Sequence, residues 1–149
     1  MREKYKIGFE VGGLILFLAI MLPNFIWFAV PAPNDILRAE SVTGVVDAIG
    51  SVCQAVMVAA LCVFIPKERK KRSMTPLLLA VICCGLLYFI CWIFYYRGAA
   101  NTPVILGMTV APCLGFLFFA LDRRNGIAVI PICGFTVCHV IFGVVNFVL

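Results

Sequence analysis

Charged residues fall in clusters along the chain, and the stretches between the clusters are apolar. Residues 11–34, 48–66, 73–96, 98–121 and 125–149 contain no Asp, Glu, Lys or Arg. A hydrocarbon layer about 30 Å thick needs roughly 20 helical residues at about 1.5 Å each. Every stretch meets or approaches that length. The shortest, 48–66, does so once 42–46 are added, which places Asp47 inside the span. A backbone without water must satisfy its own hydrogen bonds, and the strict alternation of a membrane strand is absent, so helix is the geometry that fits. The pattern predicts an all-α polytopic membrane protein of five helices, at about 8–30, 42–65, 75–96, 102–121 and 127–148. The connections are short, so consecutive helices should be antiparallel. No separate soluble domain fits, and 1–149 reads as a single transmembrane domain.

Composition agrees with this pattern. Of 149 residues, 64% are apolar and 13% charged, against roughly 45–50% and about 25% in soluble domains. These proportions exclude a disordered tail, a basic nucleic-acid-binding domain and a disulfide-stapled secreted module. Charge then sets the expected orientation. All but two of the twelve Lys and Arg, the exceptions being Arg38 and Arg97, fall on one side of the five spans. Basic loops stay in the cytoplasm, so the N-terminus is expected inside, Leu149 outside, and the plasma membrane is the expected location. A cleaved signal peptide is the rival reading of the first span, with Arg2, Lys4 and Lys6 as its basic region. The apolar run continues through Trp27 and Phe28, however, and Val30-Pro31-Ala32 is followed by Pro33, a poor cleavage site.

All eight cysteines lie inside predicted spans, where cysteine packs as a small hydrophobe. Cys138 and His139 are adjacent and point about 100° apart on a helix, which does not suit one metal ion. No metal or cofactor is expected. The strongest basic run, Lys67, Arg69, Lys70, Lys71 and Arg72, reads first as a topological anchor. Its sharper reading is a patch for anionic lipid headgroups, each basic residue contributing about 1 kcal/mol. Gly107, Ala111 and Gly115 share one helix face in span four, and Gly8 and Gly12 stand in the same relation in span one. Such small-residue faces let membrane helices approach closely. Pro23, Pro112 and Pro131 should kink their helices or free a backbone carbonyl.

Polar side chains inside the spans carry the functional expectation, because they are costly in lipid and usually face protein or water. Asp47, Ser51 and Gln54 form one stripe on span two, with Thr43 one turn earlier. His139, Gly143 and Asn146 form a second on span five, and Asn24 follows Pro23 in span one. Counted from the outer ends, Asp47 and Asn24 lie about 7–9 Å deep, Ser51 and His139 about 13 Å, and Gln54 about 18 Å. Tyr88 and Trp92 of span three lie in the same half. These groups suggest an outward-facing polar pocket walled by aromatics, with Asp47 as an ion or proton group and His139 as its titratable partner. The plainer reading is that Asp47 sits among headgroups, the amides and His139 join helices, and the aromatics form an interfacial belt.

The function expected is transport or binding of a small polar or cationic solute through that pocket, without a cofactor. The alternative is a non-catalytic membrane subunit, such as an assembly or immunity factor, that docks on a partner membrane protein. Membrane lipids and either a second copy or another membrane protein are the expected partners, and nucleic acid is not. An intramembrane hydrolase using Ser51, His139 and Asp47 is the weak enzyme reading. Asp47 and Ser51 share one helix face, and no Gly-x-Ser-x-Gly, His-Glu-x-x-His or phosphate-binding glycine loop occurs.

Overall fold

A computed structural model describes residues 4–68 and 73–149. Five helices run in chain order: α1 (Val11–Ala29), α2 (Gly44–Val63), α3 (Pro76–Tyr96), α4 (Thr102–Asp122) and α5 (Gly126–Phe147). Each is long and apolar enough to cross a membrane. The predicted spans agree with these helices to within three residues at every end, the largest difference being at the start of α1. The helix starts follow local chemistry. Thr75 and Asn101 accept from the Leu78 and Val104 amides at 3.0 and 3.2 Å, with prolines entering the first turn. The helices run without interruption through Pro23, Pro112 and Pro131. Each of these prolines leaves one carbonyl a turn earlier without its helical donor, as one of the two expected outcomes.

Helix α4 is the axis of the bundle. In its most apolar window 61% of residues are buried, against 17–28% for the other four. It packs along α3 on one side and α5 on the other, and α2 packs along α5. Helix α1 closes the ring with sparser contacts to α2, α3 and α4. The small-residue face of α4 lies against α3 within this chain. Gly115 faces Cys84, Ala111 is buried, and a Cβ at Gly107 would stand 2.3 Å from the Cys91 sulfur. Backbones approach this closely only where side chains are absent.

The chain's basic end carries a small ribbon that the hydrophobic pattern did not predict. Strand β1 (Tyr5–Ile7) pairs antiparallel with β2 (Phe64–Pro66), Lys6 standing opposite Ile65. Gly8 therefore belongs to this extended segment and not to α1 as expected, and its amide donates to the Val63 carbonyl at 3.0 Å. Gly12 is in α1, where it faces Phe119, and Gly13 lies close against the Leu61 carbonyl of α2. Asn125 ties the same end together. Buried between α4 and α5, it caps α5 through the Ala128 amide and donates to the Ala60 and Phe64 carbonyls at 3.0 and 2.9 Å. Lys67 is exposed beyond β2, and the remaining basic-run positions 69–72 lie outside the described residues.

Candidate functional site: a cavity in the far half of the bundle

The half of the bundle away from the basic end holds a cavity of about 270 Å³ to which all five helices contribute. Its position follows from the packing just described. The sparse seating of α1 leaves space between it and the α3–α4–α5 wall. Pro112, in the middle of α4, lines that space and gives no amide to the Met108 carbonyl. The walls are rich in aromatic side chains, with Trp27, Tyr88, Trp92, Phe116, Phe135 and Phe142 among them. Among the described residues no Asp, Glu, Lys or Arg lines the cavity.

Its polar groups come from separate helices. Asn24 of α1 donates to the Tyr88 hydroxyl of α3 at 2.8 Å and to its own helix's Ile20 carbonyl at 3.3 Å. Gln54 of α2 reaches only the soft Met21 sulfur, at 3.9 Å. Thr109 of α4 is satisfied by the Ile105 carbonyl at 2.7 Å. His139 of α5 lies in a near-parallel stack between Phe135 and Phe142, with ring centroids at 5.0 and 6.1 Å. It makes no hydrogen bond among the described residues. Trp92 is 5% exposed and packs edge-on against Tyr88 and Tyr95. Its buried indole N–H interacts with the Tyr88 hydroxyl, though not in strict hydrogen-bond geometry.

A plug built from the α1–α2 connection covers the far end. Asp35 is its centre. The carboxylate accepts from the Trp27 indole at 2.8 Å, the Tyr95 hydroxyl at 2.8 Å, the Ala32 amide at 3.2 Å and the Arg38 guanidinium at 2.7 Å. Burial works against the carboxylate, but the hydrogen bonds from Trp27, Tyr95, Arg38 and Ala32 outweigh it. The Asp35 carboxyl is held below its ordinary value. Arg38 also lies over the Trp27 ring, 4.7 Å from its centroid. Tyr95 is fully buried, and its oxygen accepts from the Leu37 amide at 3.2 Å. Asn34 and Tyr96 fasten the rim by bonds to the Gly98 and Val30 carbonyls.

The predicted site residues divide between two places. Asn24, Gln54, Tyr88, Trp92 and His139 meet in the cavity. Asp47 and Ser51 do not reach it. They line a shallow groove of about 190 Å³ on the other side of α5, to which only His139 and Phe142 of the cavity lining also contribute. Asp47 lies in the first turn of α2, where a carboxylate suits the helix dipole. It accepts from Thr43 at 2.8 Å and from Ser41. Asn146 joins this cap, donating to Thr43 and accepting from the Val42 amide, both at 2.8 Å, and lines neither space. Ser51 gives its hydroxyl proton to the Asp47 carbonyl at 2.9 Å, and no hydrogen bond joins Ser51 to His139 among the described residues. The α2 stripe is thus divided, with Gln54 on the cavity and Asp47 and Ser51 on the groove.

Sequence reasoning missed the plug altogether. The Asp35–Arg38 ion pair was not read from the sequence, and Tyr95 reaches Asp35 from across the bundle. Thr109 and Pro112 were also missed as lining residues. No known family, curated protein or solved structure matches this chain.

Proposed function

We propose that this chain is an integral membrane protein that crosses the bilayer five times. In this reading the basic end lies in the cytoplasm and the cavity in the outer half. The cavity binds a small solute between the helices, as the binding step of transport. The observation that carries the reading is the cavity itself: a space of about 270 Å³ with aromatic walls and a few separated polar groups. Ligand pockets have this make-up, with an apolar lining that supplies affinity and isolated polar groups that fix orientation. The polar group expected to balance a cation, Asp47, is engaged in the α2 cap. Any cation would therefore have to be held by ring faces, and the lining favours a solute with a largely apolar body.

A thermal-shift screen on the detergent-purified protein tests this reading. Small aromatic solutes and quaternary ammonium ions are compared, each against Gln54→Ala and His139→Phe. A ligand present at one hundred times its Kd stabilises by about 2.7 kcal/mol, which a melting curve resolves. Hits with a shift lost in these variants but kept in Asp47→Asn support the cavity. Hits lost only in Asp47→Asn move the site to the α2–α5 groove, and the absence of any hit counts against solute binding.

The other reading is a membrane subunit that docks on a partner. The small-residue face of α4, one surface such a partner could use, is taken up by α3 within this chain. A partner would have to use a different face.

A further inference from the structure

We propose that a groove between α1 and α3 at the basic end seats one acyl chain of an anionic phospholipid, with the lipid phosphate on Arg123. The inference rests on the reading of the chain as membrane-spanning and does not depend on the cavity.

The groove has a volume of about 480 Å³, and α1, α3 and the end of α4 form its walls. Ile15, Leu16 and Ala19 line it from α1, and Ile82, Leu86 and Phe89 from α3. It extends from Gly12 to Ile20 along α1 and from Leu78 to Phe89 along α3, about 12 Å and about 16 Å at the helical rise. One leaflet of a hydrocarbon layer about 30 Å thick has that depth. Gly85 keeps the middle open, because a Cβ there would meet nothing within 4 Å.

Arg123 is the one polar side chain among the described residues that line the groove. Its guanidinium lies over the Phe119 ring, 5.3 Å from the centroid, and its side chain is 13% exposed. A guanidinium has five N–H donors. None of them makes a hydrogen bond among the described residues, and Nε stands 3.7 Å from Asp122, whose carboxylate is already engaged by Thr75. Nε is enclosed, whereas Nη1 and Nη2 keep accessible surface. The other space that Arg123 borders, shared with Glu10, is about 10 Å³, room for about one water molecule. An anion therefore reaches the guanidinium from the groove, which neither Asp122 nor Glu10 lines. A mostly buried cation short of hydrogen bonds is costly, and a phosphate supplies both the charge and paired acceptors in the geometry of the guanidinium fork.

The apolar walls select a lipid over a soluble phosphate, and basic pockets between membrane helices at the cytoplasmic side take anionic headgroups. Lipid tails are as apolar as these walls, so moving a chain from the bilayer into the groove gains little by itself. Discrimination between lipids must come from the headgroup, and so from Arg123.

The experiment is native mass spectrometry of the full chain released from detergent, titrated with dioleoylphosphatidylglycerol or with dioleoylphosphatidylcholine, whose ammonium offsets its phosphate. One saturable adduct per chain is expected, about fivefold tighter for phosphatidylglycerol, the effect of about one basic residue at an anionic surface. Arg123→Gln should equalise the two lipids, while Lys67→Gln, at an exposed position of the same end, should keep the preference. Gly85→Leu fills the groove and should remove the saturable adduct of both.

A preference that survives Arg123→Gln, or is lost in Lys67→Gln, would overturn the headgroup assignment. Adducts unchanged in Gly85→Leu would overturn the groove, and adducts with palmitate but not phosphatidylglycerol would overturn the choice of phospholipid. Should Arg123→Gln fail to fold, a phosphatidylglycerol with a diazirine on one acyl chain decides in the wild-type protein. Crosslinks at Ile15, Ile82 or Leu86 support the groove, and crosslinks confined to other exposed positions such as Ile130 and Val137 contradict it. A chain that needs detergent but holds both lipids alike would defeat this inference alone. A chain that stays dissolved without detergent and retains neither lipid would remove the membrane-spanning reading as well.

Discussion

Asp35 shows how much one loop carboxylate can organise. Its four donors come from α1, the loop and α3, so it joins segments that the chain order keeps apart. Replacing it with Asn removes the charge from these hydrogen bonds, each worth about 1.5–3 kcal/mol when charge-assisted. Allowing for partial replacement by the amide, a loss of about 2 kcal/mol is expected in reversible unfolding of the purified protein. Acid should act at the same point. The folded-state value of Asp35 is depressed, so its contribution is complete above the ordinary aspartate range near 3.9. It is lost as pH falls through the lower folded value. The plug should stay shut at neutral and mildly acidic pH. Below about pH 3.9 acrylamide quenching of the plug's Trp27, read in Trp92→Phe, should rise, and Asp35→Asn should abolish that dependence. None of this was legible in the sequence beyond a turn at Pro33-Asn34, because its decisive partner, Tyr95, is brought there by tertiary packing. Asp47 is the opposite case. Its spacing to Ser51 and Gln54 was read correctly, yet spacing names a helix face and not the neighbour that face meets.

At the scale of the helices, the sequence was informative because the solvent leaves so few options. A charge-free apolar run must be helical if it is to satisfy its backbone in lipid, and its ends are marked by charges and capping residues. The α4 face of Gly107, Ala111 and Gly115 was also legible, although whether it met α3 or another molecule was not. That contact gives a sharp test. Gly107→Ala should destabilise by roughly 1–3 kcal/mol through overpacking against the Cys91 sulfur. Adding Cys91→Ala should recover most of the loss, because the Cys91 Cβ itself would stand 3.6 Å away, an ordinary contact. The β1–β2 ribbon was not legible, since three residues carry no periodicity and their pairing depends on α2 delivering 64–66 beside the start of the chain. Asn125 belongs to this scale as well. Its replacement by Ala removes a helix cap and two donors to buried carbonyls, and should cost about 3 kcal/mol. Asn125→Asp keeps the capping oxygen but turns a buried carboxylate oxygen toward the Ala60 and Phe64 carbonyls, and should cost at least as much. Denaturation in mixed micelles measures both.

Across the whole molecule, a single asymmetry organises the account. The bundle is densely packed around α4 and thinly closed by α1, and its basic residues gather at one end while the cavity and plug occupy the other. The wide apolar exterior of α1 and α3, including Ile15, Leu22, Leu86 and Ile93, has no counterpart in a water-soluble protein of this size. It is the surface expected of a protein solvated by lipid. Under the proposed insertion the distribution of Lys and Arg sets the direction of threading to be expected. That direction in turn decides whether the plug would face the outside. Accessibility of epitope tags at the two ends, in intact and permeabilised cells, measures this directly. The account predicts that an N-terminal tag is reached only after permeabilisation and a C-terminal tag without it; tags that answer from the same compartment would contradict it.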